Sequence, residues 1–228
     1  MTRGTGERVA PCFGEHLGMS TGRLETFSDG VFAVAITLLV LDIRPPSDAD
    51  TSSGLWRSLG DLWPHYTAYA VSFLVIGIVW SNHHAVMDVI GRVDRQLVFL
   101  NLLLLMAVAL IPFGTALLAE YLTRADAAHA AAAAYSVVIA LMGAAFGGLW
   151  IYVSRDGRLL VDDFPRDELP EITRRFVIGT PIYIAAIGIA FVSAVACLAL
   201  HAVLAVYYAL ARRGGGLAMA HSPRGVDP

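Results

Sequence analysis

Between Phe176 and Leu210 the chain carries no aspartate, glutamate, lysine or arginine. As one α-helix this run of about 35 residues would extend about 52 Å, well beyond the roughly 30 Å of bilayer hydrocarbon. Two spans joined by a tight turn fit the thickness, and the turn is expected between Gly188 and Ala196. Similar apolar runs recur upstream. The 228-residue chain is 57% hydrophobic, more than a single soluble core of this size uses. The expected class is therefore all-α, a polytopic membrane protein.

Punctuation between the runs sets the span count. The first runs from about Arg23 to Ile43 and stops at Arg44-Pro45-Pro46, where proline removes donors and restrains the residue before it. A polar loop, SDADTSSG, follows, and the second span begins near Asp61, with Pro64 at an early helical position and Trp63, Tyr66 and Trp80 suited to the interfaces. The third covers about 97 to 122, with Pro112 as a kink. The fourth covers about 129 to 153, where Gly143, Gly147 and Gly148 permit close helix contact. The polar stretch SRDGRLLVDDFPRDELPEI reads as a surface loop, and the last long run gives the fifth and sixth spans.

All 16 basic residues are arginine. With six spans and both termini cytoplasmic, only Arg44, Arg57 and Arg124 fall outside, and the other arginines fall inside. That asymmetry agrees with the positive-inside rule. The chain divides into a cytoplasmic arm (1–21), a six-helix membrane domain (22–212) and a cytoplasmic tail (213–228). The arm has no continuous apolar stretch of the signal-peptide kind, so the first span is expected to act as its own insertion signal.

Composition and spacing exclude several classes. A net charge of −3 gives no reason to expect a nucleic-acid partner. Cys12 in the arm and Cys197 in an apolar run are poorly placed for a disulfide and are expected to be free thiols. Ser28, Asp29 and the histidines follow no catalytic order. Adjacent His83 and His84 diverge on a helix, so neither a catalytic set nor a metal site is read here.

In RLETFSDGVFAVAITLLVLDI, residues 23–43, Phe27, Val31, Val34, Leu38 and Leu41 share one narrow helical stripe. Such a stripe can face lipid, another helix or a narrow apolar pore. Thr37 lies about 60° from it, at the edge of a lumen or bonded back to the carbonyl of Ala33. Asp29 points about 140° away from Val34, toward neighbouring helices, and an ionised carboxylate at that depth needs donors. Arg23 lies nearly on the opposite side of the helix, so the donor is expected from WSNHH, residues 80–84, with Asn101 near the same side. A proton-coupled transporter using Asp29, and a nonconducting membrane scaffold, both remain compatible with these residues.

Arg23, Phe27, Ser28 and Asp29 followed by GVFAVAITLLVLDI, together with Trp80-Ser-Asn-His83-His84, closely resemble the prokaryotic members of the TMEM175 potassium-channel family. The resemblance extends over about residues 20 to 212. It implies a potassium-permeable homotetramer in the prokaryotic cell membrane, one six-helix unit per subunit, with membrane lipid and potassium ions as its partners and no cofactor. It also implies a pore lined by the first helices rather than the pore-loop fold, and the chain has no TVGYG. Carried over by motif, the constriction falls at Val34, where relatives commonly have isoleucine or leucine, with Leu38 and Leu41 as further apolar layers. Thr37 would support selectivity. Arg23, Phe27, Ser28, Asp29, Trp80 and His84 would form the structural network around the pore helix.

Overall fold

The computed structural model describes residues 20–47 and 50–211; the rest of the arm and the tail, with Cys12, and Asp48 lie outside them. The first helix, α1 (Thr21–Leu38), tightens into a 3-10 turn at Leu39–Asp42. Its internal polar residues do not break it, because Thr26 and Ser28 donate to the carbonyls of Gly22 and Leu24, each at 2.8 Å. A hydroxyl bonded within its own helix brings no unsatisfied group into an apolar setting.

SDADTSSG is only partly a loop. Thr51 accepts from the amide of Gly54 at 3.1 Å, which starts a short helix, α2 (Ser52–Asp61). A threonine N-cap satisfies one of the free amides of a first turn, and the polar composition hides the apolar side chains Leu55 and Trp56 behind it. Leu62 then joins α2 to α3 (Trp63–Asp88).

Next come α4 (Arg95–Ala109) and α5 (Ile111–Tyr121), which meet at Leu110. Pro112 accounts for the break, since its nitrogen has no hydrogen to give to the preceding turn. The longest helix, α6 (Ala125–Ser154), has small residues on its packed faces. A Cβ on Gly143 would stand 3.0 Å from the ring of Tyr183, whereas one on Gly148 would meet nothing within 4 Å. Close approach is therefore required at Gly143 and not at Gly148.

The final elements are α7 (Leu169–Val177), α8 (Gly179–Ala190) and α9 (Ala194–Ala211). The turn between the last two occupies residues 191–193, where the Ser193 hydroxyl accepts from the amide of Ala196 at 3.2 Å. Among the described residues, five helical stretches are long and apolar enough to cross a membrane: Thr21–Asp42, Trp63–Asp88, Arg95–Tyr121, Ala125–Gly157 and Arg166–Ala190. The apolar helix Ala194–Leu210 is shorter, about 26 Å at the helical rise and near the lower limit for a span.

The expected surface loop after α6 is instead folded onto the bundle. Gly91 donates to the carbonyl of Leu159 at 2.9 Å and Val161 to that of Val89 at 3.0 Å, a short antiparallel bridge. Leu159, Leu160 and Phe164 are buried, and Tyr152 and Arg158 converge on the Asp94 carboxylate. Charged neighbours conceal this small apolar anchor in the sequence. It ties α3 and α4 to α6 at the end of the bundle where α1 begins.

Candidate pore helix and its polar anchor

Two faces of α1 have opposite surroundings. Leu24, Ser28, Phe32 and Ala35 are buried against the bundle, as is Leu39 in the following turn. On the other side Phe27, Val34, Leu38 and Leu41 are 54, 57, 45 and 70% exposed, with Val31 half-buried between them. The helix thus lies at the edge of the bundle, with the stripe found in the sequence open except at Val31, which packs against the core.

The buried face is fixed by a directed set of hydrogen bonds. Asn101 on α4 donates through Nδ2 to Ser28 Oγ at 2.9 Å, and Ser28 passes its own hydrogen to the carbonyl of Leu24. The Asn101 carbonyl oxygen lies 2.8 Å from His83 Nε2. Since a carbonyl oxygen only accepts, His83 carries its hydrogen on Nε2. Donation then runs one way, from α3 through α4 to α1, through residues wholly removed from solvent. Phe32 packs on the His83 ring, with centroids 5.4 Å apart.

A second set lies beside it, one residue further along α1. Trp80 Nε1 donates to Asp29 Oδ1 at 2.8 Å, and His84 Nδ1 lies 2.6 Å from Glu25 Oε1. The rings of Trp80 and His84 stack, with planes 19° apart. Glu25 and Asp29 are four residues apart on α1, and Trp80 and His84 are four apart on α3. Because the helices run antiparallel, the pairs form two successive rungs. A hydrogen bond to an ionised carboxylate is shorter and stronger than a neutral one, so this ladder holds the depth of α1 against α3.

The structure brings Ser28, Asp29, Trp80 and His84 to one end of α1. Phe27 lies on the open stripe, and Arg23 is exposed, with its backbone amide bonded to the carbonyl of Ser20 and its side chain in neither of the two sets. Thr37 is exposed at the edge of the stripe, and its hydroxyl donates to the carbonyls of Ala33 and Val34, both at 2.9 Å. Its oxygen lone pairs remain available beside Val34. Sequence reasoning missed Glu25, although its four-residue spacing from Asp29 matches that of Trp80 and His84.

Comparison with known proteins gives concordant results. Residues 23–112 match the family model described as endosomal/lysosomal potassium channel TMEM175. A potassium channel of Streptomyces collinus is 54% identical over 191 residues, covering 82% of this chain and 91% of that protein. The crystal structure of a lysosomal potassium-selective channel TMEM175 homolog from Chamaesiphon minutus superposes with a TM-score of 0.76 at 40% identity, over 86% of this chain and 98% of the other. The endosomal/lysosomal proton channel TMEM175 of Bos taurus is 36% identical over 107 residues, which are 44% of this chain and 22% of that protein. With its membrane helices and with the Streptomyces and Chamaesiphon relatives matched over nearly their full length, the chain belongs to the TMEM175 family.

Proposed function

We propose that this protein is a potassium-permeable cation channel, not an enzyme, whose pore is lined by α1 from each of four copies. The observation that carries the reading is the open stripe of Phe27, Val34, Leu38 and Leu41 on a helix whose opposite face is locked to the bundle. Four such stripes around an axis form a narrow apolar conduit. Val34 then makes the tightest ring, with Leu38 and Leu41 as layers beyond it. Hydrocarbon offers an ion no replacement for its hydration shell, so such a ring opens and closes the water path through small changes in width.

Thr37 stands next to Val34, and its oxygen supports discrimination between cations once the ring widens. Backbone carbonyls of α1 are engaged in helix bonds, which leaves side-chain oxygen as the ligand within reach. Asp29 and Glu25 hold the helix through α3 and stay outside the lumen. The arginine asymmetry supports both termini facing the cytoplasm of a prokaryotic cell, and Asp42 and Asp50 then stand near the outer mouth, where negative charge raises the local cation concentration.

Potassium flux from proteoliposomes, with the proton gradient clamped by an ionophore and sodium substituted in parallel, tests the reading. Uncoupled potassium flux above sodium flux is expected. Val34→Asn is expected to raise the rate by wetting the ring, and unchanged flux in a correctly assembled variant removes Val34 from the constriction. Flux that requires proton exchange would identify a transporter, and no flux above empty liposomes a scaffold. The relatives named proton channels make proton flux in the absence of potassium the third measured quantity.

A further inference from the structure

We propose that a half-open cavity between α3, α6, α8 and α9 is a binding site for a small uncharged alcohol. Asn82 of α3, Thr180 and Tyr183 of α8 and Tyr208 of α9 line it, with Met142 and Phe146 of α6 as apolar wall. Asn82 lies two residues from Trp80 and two from His84, about 160° around α3 from both. One stretch of α3 thus carries the ladder to α1 on one side and the cavity on the other.

The lining selects the ligand. The side chains of Asn82, Thr180 and Tyr183 take no hydrogen bond within the described chain, and an amide or a hydroxyl can both donate and accept. Among the described residues no charged side chain lines the cavity, so an ion would give up its hydration there without a counter-charge. Most of the lining is apolar, which water alone would wet at a cost; a hydroxyl joined to an aliphatic body satisfies both kinds of wall. The cavity measures about 70 Å³, and a water takes roughly 10–15 Å³ of such space, so about five non-hydrogen atoms fit. That is the size of butanol and excludes a lipid. The walls are already set: Phe176 stands edge-on to Phe146 and Trp150, with centroids 5.1 and 5.2 Å apart, and Tyr183 stacks on His201 with planes 22° apart. Ordered walls lower the entropy lost on binding. Gly179, which also lines the space, keeps it open: a Cβ there would stand 3.5 Å from the Tyr183 ring and 3.8 Å from the Tyr208 hydroxyl, in ordinary contact. A methyl group at that position therefore narrows the cavity without strain.

The assignment holds whether or not the protein conducts. The test is photolabelling of the purified full-length protein by a butanol that carries a diazirine, read by peptide mass spectrometry with 1-butanol as competitor. Saturable label is expected on peptides that contain cavity residues, and 1-butanol is expected to displace it. Thr180→Val keeps the shape and removes one hydroxyl, so affinity is expected to fall about threefold or more. Gly179→Ala is expected to bind still more weakly, because the added methyl occupies the ligand's space, and it keeps the test open should Thr180→Val fail to fold. Gly148→Ala, on α6 but outside the cavity lining, is expected to bind like the unaltered protein. Label that does not saturate, that spreads over outward-facing positions such as Phe113, or that is equal in folded Gly179→Ala would overturn the site. Displacement by a monoacylglycerol as effective as by 1-butanol would overturn the choice of a small solute over lipid.

Discussion

A single amide links three helices, α3, α4 and α1. Asn101 accepts from His83 and donates to Ser28, so it uses both ends of its side chain where water does not reach. Replacement by leucine keeps the branching and the number of side-chain heavy atoms but leaves the His83 N–H without its acceptor. Burying an unpaired donor costs about 1–3 kcal/mol in water-soluble proteins, and polar pairs within membranes average about 0.6 kcal/mol. Asn101→Leu is therefore expected to lower thermal stability by about 1 kcal/mol, read from melting of the purified protein. Ser28→Ala in the same background should add less than it does alone, because the partner it would abandon is already gone. Full additivity of the two changes would show that the bonds act separately.

Between helices, glycine has two distinct uses on α6. The ring of Tyr183 on α8 fills the space that a Gly143 side chain would need, while Gly148 faces open space. Gly143→Leu is expected to force α8 away and cost about 1–3 kcal/mol, as overpacking does. Gly148→Ala should be neutral or stabilising by up to about 1 kcal/mol, from helix propensity. Melting curves of the two variants check the contrast, and equal losses would mean that the close approach at Gly143 is not what matters. The sequence marks both positions alike, since small residues signal possible contact without naming which contact forms. The same limit applies elsewhere among the elements. The run from Phe176 to Leu210 disclosed a turn because its length exceeds a bilayer, and Asp29 disclosed a need for a donor because burying its charge is costly. Glu25 disclosed nothing of the kind, because a carboxylate near the start of a span is content with water, and its pairing appears only once the register of α1 against α3 is known. Leu159, Leu160 and Phe164 were hidden for the opposite reason, as charged neighbours gave an anchored segment the composition of a loop.

For the whole molecule the decisive matter is what touches the open face of α1. Exposure in one chain is equally compatible with lipid, and Phe113 on α5 is 65% exposed as well. Water separates the two cases. A cysteine reacts through its thiolate, which forms readily in an aqueous lumen and poorly in hydrocarbon. In a background where Cys12 and Cys197 are replaced by serine and alanine, Leu41→Cys is expected to be modified by a charged, membrane-impermeant thiol reagent. Phe113→Cys is expected to stay unmodified. Along the stripe, Leu38→Cys should react more slowly than Leu41→Cys, and Val34→Cys slowest from the Leu41 side, because each apolar layer adds to the barrier against a charged reagent. Potassium flux through the Leu41→Cys protein should fall as the label accumulates. Modification without loss of flux would place Leu41 in water away from the conducting path. Equal inertness at Leu41 and Phe113 would assign the stripe to lipid, and the conduit would then have to be sought on another face of the bundle.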